Sequence, residues 1–199
     1  GDFGDSLKQR GRTVMDIIAT KFPVSARLGG MAVVLALCVG VPLGVLAAYK
    51  RGTFIDSLFS VIATCGIAVP GFVICTLLLY VFGVKLQWLP TLGLKSAQSY
   101  IMPVVALAAY PTSYIMRLMR SSMLDVLGQD YMRTAKAKGL SQKVSLFKHA
   151  LRNAILPVIT YVGPMLAYTL TGSFVTEKFL TIPGLGGEFI KAIKGRDYT

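Results

Sequence analysis

Four stretches of this chain carry no Asp, Glu, Lys, Arg or His: residues 28–49, 57–84, 96–116 and 153–176. A helix rises about 1.5 Å per residue, so about 20 residues cross the roughly 30 Å of a bilayer's hydrocarbon, and each stretch is long enough to do so. Lipid offers no water to an unpaired backbone N–H or C=O, which makes helices the expected form of all four. The expected fold class is an all-α membrane protein with four spans at least. Composition agrees, with 54% of the 199 residues hydrophobic and 15% charged, against about 25% charged in ordinary soluble domains. The 21 Lys+Arg outnumber the 9 Asp+Glu, for a formal charge of +12. In so apolar a chain that excess is expected to face membrane lipid rather than nucleic acid.

The segments between spans set the organisation. Residues 1–27 are polar and mixed, with Val14, Ile17, Ile18 and Phe22 at helical spacing. They predict a short interfacial helix limited by Pro23, as an outer lead-in to the first span. Trp88, the only tryptophan, sits just beyond the second span with Leu89 and Pro90, where aromatic side chains anchor at the headgroups. If the spans alternate, the loop at Lys50-Arg51 and the long segment 117–152 share one side. Those two loops hold ten Lys and Arg, against Lys85 and Lys95 alone in the other complete loop. Basic loops stay inside, so 117–152 is expected in the cytoplasm. The layout expected is thus 1–27 outside, a transmembrane domain over 28–176, and an outer loop over 177–199. The chain starts at Gly1 rather than Met and has no leader pattern, and is expected to be a piece of a longer protein.

Several functions are disfavoured. None of the four stretches holds an ionisable group, which pumps and proton-coupled carriers need at membrane depth. His149 falls in the long loop, and no nucleophile, base or metal constellation points to an enzyme. No G-x-x-x-x-G-K-[ST] occurs, so any ATP that drives this protein must be hydrolysed by another polypeptide. The Gly-rich run Ile182-Pro183-Gly184-Leu185-Gly186-Gly187 lacks the Lys that would follow in a phosphate cradle and is expected to form a turn. Glu177, Glu188 and Lys191 around it are expected to be exposed charges. Cys38, Cys65 and Cys75 lack metal or disulfide spacing and are expected to be inert core thiols.

Pro and Gly interrupt every span. Gly40-Val41-Pro42-Leu43-Gly44 fits two readings, a bend that lets helices rock or a small-x-x-x-small seam that lets backbones touch. The hydroxyls of the last two spans, among them Tyr114, Tyr161 and Tyr168, either line an aqueous passage or bond within the bundle. In the long loop, residues 129–141 read as a helix ended by Gly139, with Ser141 as the N-cap of a second helix. On that second helix Val144, Phe147, Leu151 and Ile155 share a face, with Lys143, Lys148 and Arg152 toward the others. Such a pair needs a surface to bury against, either lipid headgroups or a partner protein.

The run Tyr131-Met132-Arg133-Thr134-Ala135-Lys136-Ala137-Lys138-Gly139-Leu140, followed by His149-Ala150-Leu151-Arg152-Asn153-Ala154-Ile155-Leu156-Pro157, resembles the coupling loop of bacterial binding-protein-dependent ABC importer permeases. Gly1-Asp2-Phe3-Gly4-Asp5-Ser6, Trp88-Leu89-Pro90, Ile182-Pro183-Gly184-Leu185-Gly186 and Arg196-Asp197-Tyr198 agree in order, so the resemblance covers essentially the whole chain. The general permease pattern opens with Glu-Ala-Ala. Arg133-Thr134-Ala135 is the form that resembles the oligopeptide, dipeptide and nickel subfamily.

The resemblance implies a type I importer permease subunit of the bacterial inner membrane, with four of six spans present here. It is not itself an enzyme and holds no cofactor, ATP and Mg belonging to partner subunits. Those partners would be a second homologous permease, in a heterodimer, two cytoplasmic ATPases and an outer solute-binding protein. Arg133, Thr134, Ala135, Lys138, Gly139, Leu140 and Ser141 would couple to an ATPase, with Gly139 giving the tight turn and Ala135 the close approach. Ile182, Pro183, Gly184, Leu185 and Gly186 would form an outer segment facing the binding protein, and Tyr114, Tyr161 and Tyr168 would line the pathway. The solute implied is a peptide, with nickel or another small solute as the alternative, and a stand-alone channel or secondary carrier is the rival of another class.

Overall fold

The computed structural model describes residues 3–9, 11–141 and 144–197. Helix α1 spans Val14–Tyr49. Its start is fixed by a capping box: Thr13 Oγ1 accepts the Asp16 N–H at 3.1 Å, and the Asp16 carboxylate accepts the Thr13 N–H at 3.4 Å. That satisfies two groups a helix start otherwise leaves open. Helices α2 (Phe54–Ala68) and α3 (Gly71–Leu78) follow, α3 continuing as a π-helical stretch Leu79–Lys85. A 3₁₀ turn, Ala97–Tyr100, leads into α4 (Ile101–Leu127), and α5 covers Asp130–Ala137. A π-helical turn Ser145–Ala150 and an α-turn Leu151–Ala154 lead to α6 (Leu156–Phe179), and α7 covers Leu185–Gly195.

Among the described residues, three helical runs are long and apolar enough to cross a bilayer: Val14–Tyr49, Ala97–Leu127 and Leu156–Phe179. The second expected span differs. It breaks at Val69-Pro70 into α2 and α3, and counts as a fourth only if the pair acts as one bent span. Pro70 has no N–H to continue the ladder and holds Val69 extended, at φ −80° and ψ 123°. Pro23, in contrast, does not end a separate interfacial helix, because α1 runs through it without interruption. One proline removes one bond of a ladder that the rest of a 36-residue helix supplies. Helix α4 also outruns its apolar stretch, so the first part of the long loop is helical. The 177–199 segment, expected as a loop, instead carries the end of α6 and the 11-residue helix α7.

The chain forms two compact units, and α1, α4 and α6 each contribute to both. One unit comprises 33–69 and 109–165. Its core draws Ala36, Val45 and Ala48 from α1, Ile115, Met119 and Met123 from α4, Met132 from α5, and Leu146, Ala150, Ala154, Val158 and Met165 from the following helices. The spacing of four in Ile115, Met119 and Met123 puts all three on one face of α4. Flexible methionines fill the irregular gaps between helices. Small residues set the contact of α1 with α4. A Cβ on Gly40 would stand 2.8 Å from the Thr112 carbonyl oxygen, and one on Gly44 2.6 Å from that of Met116. The close-packing reading of this motif is therefore the one realised.

The other unit comprises 1–32, 70–108 and 166–199. Within it a Cβ on Gly29 of α1 would lie 3.0 Å from Leu170 of α6, Phe72 of α3 stacks on Phe179, and Phe174 of α6 packs on Phe189 of α7. Trp88 is exposed beside Phe82. Only Cys75 of the three cysteines is buried; Cys38 and Cys65 are exposed and are not core thiols. The outward faces of these helices are themselves apolar, so an exposed cysteine costs a lipid-facing surface nothing.

Candidate functional site

In the first unit the residues expected to couple lie on a short hairpin. Helix α5 begins at Asp130 and ends in a left-handed turn at Gly139, where φ is +76°. The Leu140 N–H reaches back to the Ala135 carbonyl at 3.3 Å and the Lys138 N–H to that of Thr134 at 3.0 Å. This is the closure expected of a helix ended by glycine. Ser141 Oγ accepts the Val144 N–H at 3.4 Å, as an N-cap should. Arg133, Thr134, Lys138, Gly139, Leu140 and Ser141 are all exposed.

Ala135 is not. It is 8% exposed and faces its own unit, so the close approach expected at that position is to this chain's core. Of the face expected to need a covering surface, Leu151 and Ile155 pack partly against the core while Val144 and Phe147 do not. Leu146, Ala150, Ala154 and Val158 face inward, because small side chains there let the helix sit close to the core. Val144 and Phe147 are left outside, Phe147 at 60% exposure. The π-helical turn, with its longer i to i+5 repeat, accompanies that register. Asn153 Nδ2 donates to the Tyr131 hydroxyl at 2.9 Å and ties the two arms together. The result is an outer surface of Tyr131, Leu140, Val144 and Phe147 over a buried base of Met132, Ala135, Leu146 and Ala150. Lys143 lies outside the described residues, as do Gly1, Asp2, Arg10, Tyr198 and Thr199.

In the same unit Arg120 of α4 and Asp56 at the start of α2 form a two-point ion pair, with Nε to Oδ1 at 2.6 Å and Nη2 to Oδ2 at 2.8 Å. The Gly52 N–H adds a third contact to Asp56 at 3.0 Å. This pair was not expected from sequence. The alternation of spans, which places both residues on one side, was the available signal. Tyr114 meets Tyr161 with ring centroids 4.4 Å apart and lies 6.3 Å from Tyr110. Tyr110 and Tyr114 line an open cleft of about 360 Å³ with Ile67, Arg117, Leu118 and Ser121. Tyr168, the third tyrosine expected on a pathway, belongs to the other unit and is exposed.

In that other unit Ile182, Gly184 and Gly186 are buried while Pro183 is exposed. Glu177, expected as an exposed charge, is 0% exposed. The turn is stitched by Ile182 N–H to the Glu177 carbonyl at 2.8 Å and Gly184 N–H to the Ile182 carbonyl at 2.9 Å. The opening and closing sequence motifs meet here: Asp197 accepts from Ser6 Oγ and, at 2.9 Å, from the Leu7 N–H. Gln9 Nε2 donates to Glu188 at 3.0 Å.

Glu188 also accepts from Lys191 Nζ at 2.9 Å. That bond, more than the lesser help of Gln9 and Lys21, holds its carboxyl below the usual 4.5 against the opposing effect of burial. A lowered carboxyl stabilises the fold above its unfolded value, and the contribution disappears as pH falls through the folded value. Glu188→Gln should therefore melt lower than the parent near neutral pH. The difference should close as the pH drops well below about 4.5, which melting curves of both proteins across that range would check.

Apolar helices of spanning length, with a braced hairpin that leaves apolar side chains uncovered, define a multi-pass helical membrane protein. The sequence pattern of binding-protein-dependent transport system inner membrane components matches residues 40–199. The chain belongs to that family. It is 48% identical to the dipeptide transport system permease protein DppB of Bacillus subtilis, over 99% of this chain and 64% of that protein. It is 43% identical to the oligopeptide transport system permease protein OppB of Salmonella typhimurium, over 100% of this chain and 66% of the relative. The chain thus spans slightly less than two thirds of these relatives' length. Among solved structures, the MetNI methionine ABC transporter in inward-facing conformations shares the fold, with a TM-score of 0.71 at 18% identity over 89% of this chain and 81% of that one. An amino acid ABC transporter does so at a TM-score of 0.65 and 16% identity, over 92% and 82%.

Proposed function

We propose that this chain is the pathway-forming part of a permease subunit for ATP-driven uptake of peptides across the bacterial inner membrane. Dipeptide and oligopeptide permeases are what it is similar to at 48% and 43% identity, and peptide is the solute class we infer. The observation that carries the reading is the hairpin of α5 and the following helix. Its base is fixed in the core by Met132, Ala135, Leu146 and Ala150, while Leu140, Val144 and Phe147 stand outside with nothing over them among the described residues. An isolated helix of eight residues is too short to be stable in water, so packing on the core is what makes it rigid. A rigid knob can pass a partner's movement to the helices it is packed on.

In this reading the hairpin lies in the cytoplasm and is held by a separate ATPase, which binds the ATP and Mg. The turn at Ile182–Gly186 faces a solute-binding protein outside, and a second permease completes the pathway. The alternative solutes, nickel or another small molecule, share this architecture.

The test is Phe147→Glu in the full-length permease with its partners. The side chain is exposed, so membrane amount and melting temperature should be unchanged, while uptake and solute-stimulated ATP hydrolysis fall to background. Crosslinks from a cysteine at Leu140 should capture an ATP-hydrolysing subunit. Uptake at the parent rate, or crosslinks that reach only lipid, would overturn the coupling role. Conductance by the purified permease alone in bilayers would favour the channel rival.

A further inference from the structure

Helix α7 begins without a side-chain cap of its own, since Gly184 stands at its N-cap. Its first N–H groups nevertheless have partners, and both partners come from other helices. The Leu185 N–H donates to Ser25 Oγ of α1 at 2.9 Å. The Gly186 N–H donates to Glu177 Oε2 of α6 at 2.8 Å. Open N–H groups and the positive end of a helix favour an anionic acceptor at this place. A carboxylate with no exposure is costly to bury unless such partners hold it.

We propose that Glu177 is a positioning residue: with Ser25 it latches the N-terminus of α7, so that the Ile182–Gly186 turn and α7 move as one body with the end of α6. Two further observations point the same way. The Ile182 N–H bonds the Glu177 backbone carbonyl, so one residue holds the turn at both its beginning and its end. A Cβ on Gly184 would fall 2.5 Å from Glu177 Cδ and 2.7 Å from Oε1, so the turn is closed directly onto the carboxyl group. Gly184 has φ −91°, which any residue adopts. Its requirement for glycine comes from the contact with Glu177 and not from the backbone angle.

The contact makes the proposal testable by non-additivity. Hydrogen exchange on the full-length permease in detergent or nanodiscs should show Glu177→Ala losing protection at 185–188 by about tenfold, the worth of a buried hydrogen bond. Protection in 101–127 should be unchanged. Glu177→Gln keeps an acceptor oxygen and should restore protection to within about threefold of the parent. Gly184→Ala alone should be as damaging as Glu177→Ala, yet add nothing further in the Glu177→Ala background, where the colliding carboxyl is gone. Should Glu177→Ala fail to accumulate, Ser25→Ala removes the other acceptor and should deprotect the same amides. Unchanged protection at 185–188, or an equal cost of Gly184→Ala in both backgrounds, would overturn the latch.

Its bearing on transport rests on the proposed function. In reconstituted uptake, Glu177→Ala should raise the half-saturating concentration of solute-loaded binding protein while leaving the maximal rate within about twofold. Lost protection with unchanged half-saturation would overturn the positioning role. Failure of the transport reading itself would show separately, as no binding-protein-dependent uptake by the parent.

Discussion

Arg120→Ala should destabilise the folded protein by about 3 kcal/mol or more, whereas Asp56→Ala should cost about 1 kcal/mol. The asymmetry follows from where each partner sits. The Asp56 side chain is 8% exposed and that of Arg120 30%. Without Asp56, the guanidinium can turn to water and to headgroups. Without Arg120, a buried carboxylate keeps the Gly52 N–H and the weaker pull of the Arg51 charge, and most of the penalty of a poorly compensated charge remains. The double variant Asp56→Leu/Arg120→Leu should recover most of the loss, because an apolar pair of similar volume needs no solvation. Thermal unfolding of the four full-length proteins in one detergent would measure this. Equal losses in the two single variants, adding in the double, would show that the ion pair does not act as a unit.

The legibility of this chain divides along a physical line. Where one property decides the outcome, the sequence was sufficient. Uncharged runs long enough to cross lipid became helices at 14–49, 97–127 and 156–179, and Gly139 ended α5 with a positive φ. Where two properties compete, it was not. Pro23 and Pro70 look alike in sequence, yet one sits inside a continuous helix and the other breaks one. The choice depends on what the flanking segments pack against. Amphipathic periodicity marks Val144 and Phe147 as part of a face that needs a covering surface, but it does not show that the small residues Ala150 and Ala154 turn inward against the unit's core while the large ones stay outside. Glu177 was misjudged for a related reason. Charge predicts exposure on average, and only a three-dimensional partner, here the start of α7, makes a buried carboxylate tolerable. The contacts of Asp197 with Ser6 and Leu7, which span nearly the whole chain, had no local signal at all.

The motif at Gly40 and Gly44 shows how such an ambiguity resolves into a prediction. Gly44→Leu should cost about 3 kcal/mol or more, beyond ordinary overpacking, because the obstacle is main chain. A Cβ at this position meets the Met116 carbonyl oxygen at 2.6 Å and Met119 Cβ at 2.7 Å. Neither can move without shifting α4 itself, and α4 carries Met119, Met123 and the partner of Asp56. Even Gly44→Ala should lower the melting temperature. Gly30→Ala in the same helix meets nothing within 4 Å and should gain up to about 1 kcal/mol from helix propensity. The contrast separates a packing seam from a hinge. A hinge glycine replaced by alanine loses transport while the folded protein stays as stable as before, whereas a seam glycine loses both in proportion. Melting temperatures and uptake of the three variants, set against each other, decide which describes α1: stability unchanged in Gly44→Ala would return the motif to a flexing role.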